Sequence, residues 1–109
     1  MNVIPLDALA IQKVASGNLR LHLTENINWS EFPIFAEAVI PLIGGCVSKR
    51  NDGPDLRMWD VVIEGCLLSL VFDDYPLMVA LESLDGTGDA IIESVYNLLL
   101  QVKDSRQAT

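Results

Sequence analysis

The sequence is short of most residue types that carry recognisable chemistry. It has one histidine, His22, and two cysteines, Cys46 and Cys66. With no Cys-x-x-Cys pair and no histidine at ligand spacing, a zinc site is not expected. Isolated thiols in a reducing compartment are expected to pack as small apolar side chains. Basic residues are also few, 7 Lys and Arg against 15 Asp and Glu, for a formal net charge of −8. Such a chain repels phosphate backbones and anionic lipid, which sets nucleic acid and membrane aside as partners. No charge-free apolar run approaches the roughly 18 residues of a membrane span. The opening Met1-Asn2-Val3-Ile4-Pro5-Leu6-Asp7 has neither the basic start nor the long apolar stretch of a secretory leader, so a cytoplasmic location is expected. Internal repeats, linkers and low-complexity tracts are absent too.

What the sequence does have is apolar content. Half of its 109 residues are hydrophobic, enough for one core and one domain over 1–109, with 1–7 and 104–109 expected to fray. Residues 8–15 have no clean period, but Ser16-Gly17-Asn18 is a turn signal, and Leu19, Leu21 and Leu23 alternate with polar residues as a half-buried strand does. A first hairpin, 8–15 with 18–25, is expected.

The period then lengthens. Asn28 and Glu31 have capping-box spacing, and Phe32, Phe35, Ala36, Val39 and Ile43 recur at helical intervals, so a helix is expected over 29–43. Pro33 fits its first turn, Pro41 kinks or ends it, and Gly44-Gly45 terminates it. Residues 48–55 are polar throughout and read as a loop. Two strands, 57–64 and 66–73, meet at Glu64-Gly65. A two-residue loop there sets Ile63 against Cys66, Val61 against Leu68 and Trp59 against Leu70, which gathers a wholly apolar face. The turn Asp73-Asp74-Tyr75-Pro76 leads to a third strand, 77–82, and the loop 85–89 to a helix over 89–103 capped by Asp89.

The expected fold is α+β in the order β-β-α-β-β-β-α, an antiparallel sheet of four to five strands with both helices on the Trp59/Leu68 face. The opposite face is unusually apolar. It carries Met58, Val62, Leu67, Val71, Met78 and Ala80 beside Asp60, Glu64, Ser69 and Asp73, and is a candidate surface for a partner or a second copy.

Charge is unevenly distributed. Residues 1–54 carry −1 and residues 55–109 carry −7, and between Met58 and Val102 there are eight acids and no Lys or Arg. Asp60, Glu64, Asp73, Asp74, Glu82, Asp85 and Asp89 form a candidate acidic surface that would steer a basic partner, although solubility alone also accounts for such a bias. Asp73-Asp74 invites a metal or proton-sharing reading, but neighbouring strand residues point to opposite faces, and a turn role explains them as well. Asp85-Gly86-Thr87-Gly88-Asp89 lacks the spacing and closing glutamate of a calcium loop and the lysine of a phosphate loop. His22 reads as a surface histidine, Trp59 and Trp29 as packing residues, and Lys49, Arg50 and Arg57 as pairing with Asp52 and Asp55. No catalytic residue, metal or cofactor is assigned.

Two stretches, Leu23-Thr24-Glu25-Asn26-Ile27-Asn28-Trp29-Ser30-Glu31-Phe32-Pro33 and Leu70-Val71-Phe72-Asp73-Asp74-Tyr75-Pro76, resemble a small family of gamma-proteobacterial proteins classed as a domain of unknown function. The resemblance spans most of the chain and implies a bacterial cytosolic protein without an assigned activity. In size, acidity and mixed character the chain is also similar to immunity proteins and to small secretion chaperones, by type rather than by motif. The leading expectation is a non-enzymatic protein-binding protein with a basic partner or itself as a homodimer. The alternative is a small-ligand or metal-binding domain, or an enzyme, using Asp73, Asp74 and His22 at one end of the sheet.

Overall fold

The computed structural model describes residues 5–54, 56–74 and 77–107, with side chains of the last helix described through 104. Residues 1–4, Asp55, the Tyr75-Pro76 half of the expected turn, and 108–109 lie outside the described residues. The elements are β1 (Ala10–Lys13), β2 (Leu19–Thr24), α1 (Phe32–Leu42), β3 (Gly45–Asp52), β4 (Leu56–Ile63), β5 (Cys66–Asp74), β6 (Leu77–Ser83), a 3₁₀ turn (Gly86–Gly88) and α2 (Asp89–Gln107). The fold is α+β, and all strands join one antiparallel sheet in the order β1-β2-β6-β5-β4-β3.

The expected count of four to five strands is corrected to six. The addition is β3, which occupies most of the stretch taken for a loop. Ser48-Lys49-Arg50-Asn51-Asp52 hide their strand character because an edge strand has one bonded neighbour and solvated side chains. A bulge between Val47 and Lys49 further breaks the alternation. Gly44, at φ 78°, ends α1, while Gly45 is already the first residue of β3.

The β4–β5 hairpin has the expected register, with Ile63 opposite Cys66, Val61 opposite Leu68 and Trp59 opposite Leu70. This apolar face, extended by Leu21, Leu23, Val79 and Leu81, is the inner face, and both helices cover it. From α1 come Phe32, Phe35, Ala36, Val39 and Ile40, and from α2 Ile92, Val95 and Leu99, all buried. Phe32 meets Trp59 edge-on at 5.2 Å between ring centroids.

Asn28 and Glu31 form the reciprocal box their spacing suggests: Asn28 Oδ1 accepts from the Glu31 amide at 3.0 Å, and Glu31 Oε1 from the Asn28 amide at 2.8 Å. The box closes a turn, and α1 proper begins at Phe32. Pro41 sits in the last turn, and the helix stops at Leu42. At the other end of the chain, α2 runs to Gln107, beyond the expected end at 103. Leu6 is buried, and Asp7 is bonded to Thr24 and Asn26, which ties the segment before β1 to the core.

The cysteines depart from expectation, for Cys46 is exposed and Cys66 half-buried. Cys46 lies on the outer side of an edge strand, opposite Val62, where no neighbour covers it. Cys66 opens β5 beside the 3₁₀ turn, with Sγ 3.7 Å from Thr87 Oγ1.

Candidate functional site

With both helices on one side, the outer face of the sheet is bare of any other element among the described residues. Its side chains can be read off the register. One row crosses all six strands as Gln12, Arg20, Glu82, Ser69, Asp60 and Lys49; the next is Ala10, His22, Ala80, Val71, Met58 and Asn51. A polar row thus lies against a largely apolar one. Arg20 pairs with Glu82 at 2.8 Å, and Lys49 stands opposite Asp60.

The expected partner face is therefore assembled, but its members are unequally open. Met58 is 38% and Leu67 43% exposed, Val62 and Met78 are half-buried, and Val71 retains only 6%. Val71 and Ala80 are buried on the two central strands. His22 Nε2 donates to Gln12 Oε1 at 2.8 Å, and burial followed by the charge of Arg20 lowers its pKa.

The seven acids do not form one patch. Asp60, Asp73 and Glu82 lie on the outer face, two of them beside a base, and Glu64 and Asp85 lie at one end of the sheet. Asp89 turns inward, where Oδ1 accepts from Ser83 Oγ and from the Leu19 amide, joining α2, β6 and β2. It is a residue of α2 rather than its cap; Asp85 caps the preceding 3₁₀ turn, accepting from the Thr87 amide at 2.9 Å. Hydrogen bonds from the Thr87 side chain and amide hold the Asp85 carboxyl below its ordinary pKa.

Asp73 and Asp74 are strand residues, paired with Met78 and Leu77, so β5 continues through the segment expected to turn. Alternation directs their side chains to opposite faces. No group of three or more His, Cys, Asp and Glu among the described residues is arranged to hold a metal ion.

Two features escaped the sequence reading. The first is a stack at the far end of the inner face: Arg57 lies 3.9 Å over the Trp29 ring and binds Asp52 at 3.1 Å, while Arg50 lies 4.7 Å over Trp59. Trp59 Nε1 donates to the same Asp52 at 3.0 Å. Of the expected pairing with Asp52 and Asp55, Arg57 makes the Asp52 pair, Arg50 lies nearest Glu37 at 3.8 Å, and Asp55 lies outside the described residues; stacking on the two tryptophans was not expected.

The second is a pair of grooves beside the β4–β5 turn, the two-residue loop itself having been expected. Glu64 has φ 52° and Gly65 φ 76°, the two positive values of a type I′ turn, and Glu64 is the one non-glycine with positive φ among the described residues. A side chain there costs about 1 kcal/mol or more relative to glycine. Open grooves flank this turn. One, of about 490 Å³, lies toward the β6–α2 connection with Leu67, Leu84, Asp85 and Ile91; the other, of about 240 Å³, lies between the end of α1 and α2, with Ile43, Ile63, Val95 and Leu98. Glu64 lines both.

These features define an α+β protein with a six-stranded antiparallel sheet that, among the described residues, has helices on one side only. The chain belongs to the family described as Protein of unknown function (DUF3630), whose profile matches residues 9–101. No curated protein and no solved structure matches it. No helix among the described residues is long and apolar enough to cross a membrane.

Proposed function

We propose that this is a non-enzymatic protein-binding protein of adaptor, immunity-like or chaperone-like type, acting in the bacterial cytoplasm on a partner of basic character. The observation that carries the reading is the outer face, over which no other element lies among the described residues. Met58 and Leu67, 38% and 43% exposed, stand on a sheet surface that single-layer folds of this kind normally cover or use. The net charge of −8 favours a basic partner and speeds its encounter. The resemblance to gamma-proteobacterial sequences and the free thiols of Cys46 and Cys66 support the location.

The test is affinity capture from native lysate at low and high salt with wild type, Met58→Asp and Leu67→Asp. A basic protein held by wild type at low salt, released at high salt and lost from both folded variants supports the reading. Equal retention by all three chains, or no protein retained by wild type, overturns it.

A further inference from the structure

The grooves beside the β4–β5 turn share a wall, and that wall is Glu64. Around it the surface is apolar in a way that solubility does not require: Leu67, Leu84 and Leu98 are 43%, 48% and 38% exposed. Among the described residues, the only charged groups lining either groove are carboxylates, Glu64 and Asp85, and no Lys or Arg lines either one. Asp85 is already engaged with Thr87, and its carboxylate is kept ionised. Glu64 has no ion-pair partner among the described residues. It also occupies a position where asparagine, aspartate or glycine would satisfy the turn with less strain. A long carboxylate is thus held, against local preference, between two apolar depressions.

We propose that this sheet end docks a short linear protein segment in which a Lys or Arg is flanked on both sides by apolar residues. The cation meets Glu64 and the apolar side chains enter the two grooves. The inference rests on the protein-binding reading above and specifies the chemistry of the partner. Charge complementarity selects this occupant: an acidic or phosphorylated segment would place like charge against Glu64 and Asp85, and a wholly apolar one would leave Glu64 desolvated without a counter-ion.

The test is an NMR titration of the ¹⁵N-labelled full chain with a peptide of core Leu-Leu-Lys-Leu-Leu between Gly-Ser flanks, and with its counterpart carrying Glu for the Lys. The expected shifts fall on residues 64–67, 84–87 and 91–98, and the Glu peptide binds at least tenfold more weakly. Glu64→Gly suits a positive φ, so it folds with a raised Tm while losing at least fivefold in affinity for the Lys peptide. Unchanged affinity in Glu64→Gly, equal binding of the two peptides, or no shifts at millimolar peptide overturns the proposal. Shifts confined to Met58, Val62 and Met78 also overturn it, but they leave the outer face as a protein-binding surface; that wider reading falls only by the capture experiment.

Discussion

Arg57 lies over Trp29, its Cζ 3.9 Å from the ring centroid, with only 12% of its side chain exposed. Its Nη1 reaches Asp52, which also receives the Trp59 indole N–H, so one carboxylate links two strands, two tryptophans and one guanidinium. Lysine supplies the charge but no delocalised guanidinium that can cover the ring and reach Asp52 at once. Arg57→Lys is expected to destabilise by about 1–2 kcal/mol and Arg57→Ala by about 2–3 kcal/mol, since the latter also strips packing from Trp29. Urea unfolding followed by tryptophan fluorescence checks both, and wild-type midpoints would remove the stack from the account of stability.

Gly45 makes a different demand. A Cβ there would stand 2.8 Å from Val61 Cγ1 and 3.2 Å from both Ile40 Cγ2 and Ile63 Cγ1. These are two methyls and a methylene of stiff, buried β-branched side chains that cannot swing aside. Gly45→Ala is expected to cost about 1–3 kcal/mol through overpacking, against any gain from restricting the unfolded chain. A thermal melt of the variant decides the sign.

The same glycine shows where sequence reading stops. Leu19, Leu21, Leu23, Trp59, Val61, Ile63, Leu68 and Leu70 were legible because a buried face imposes period two, and Glu64-Gly65 fixed the register because a two-residue loop allows little else. β3 was not, since its outer residues answer to solvent and its inner ones, Gly45, Val47, Arg50 and Asp52, are mostly small or polar and are put out of alternation by a bulge. Missing β3 also hid the Arg50 stack. The outer face was foreseen as a set, but its division into a polar and an apolar row depends on strand order, and no local pattern encodes that. Nor did local pattern reveal that Asp89 faces inward, because its partners, Leu19 and Ser83, belong to other strands.

Asp7 connects the segment before β1 to β2. Burial works to raise its pKa, but hydrogen bonds from Thr24, from backbone amides of Asp7 and Glu25, and from Asn26 outweigh burial and hold it below its ordinary 3.8. A carboxyl with a lower pKa folded than unfolded contributes stability that is complete above about pH 4 and is lost as pH falls through the folded value. Asp7→Asn should therefore be less stable than wild type at neutral pH, with the difference shrinking below pH 4. Paired urea titrations at pH 3 and pH 7 measure it; a gap that stays constant across pH would assign the loss to packing alone.

Ser69 sits mid-row on the outer face, 1% exposed, between Asp60 and Glu82 in register. Its hydroxyl has no hydrogen-bond partner among the described residues. A buried donor left unpaired is a cost in the folded state that an apolar replacement removes, whereas deleting the oxygen leaves a gap of one atom. The desolvation term is the larger, so Ser69→Ala should leave stability unchanged or raise it by up to about 1 kcal/mol. If Ser69→Ala instead destabilises by more than about 1 kcal/mol in urea unfolding, the hydroxyl is satisfied in solution, as a bridging water between Asp60 and Glu82 would do.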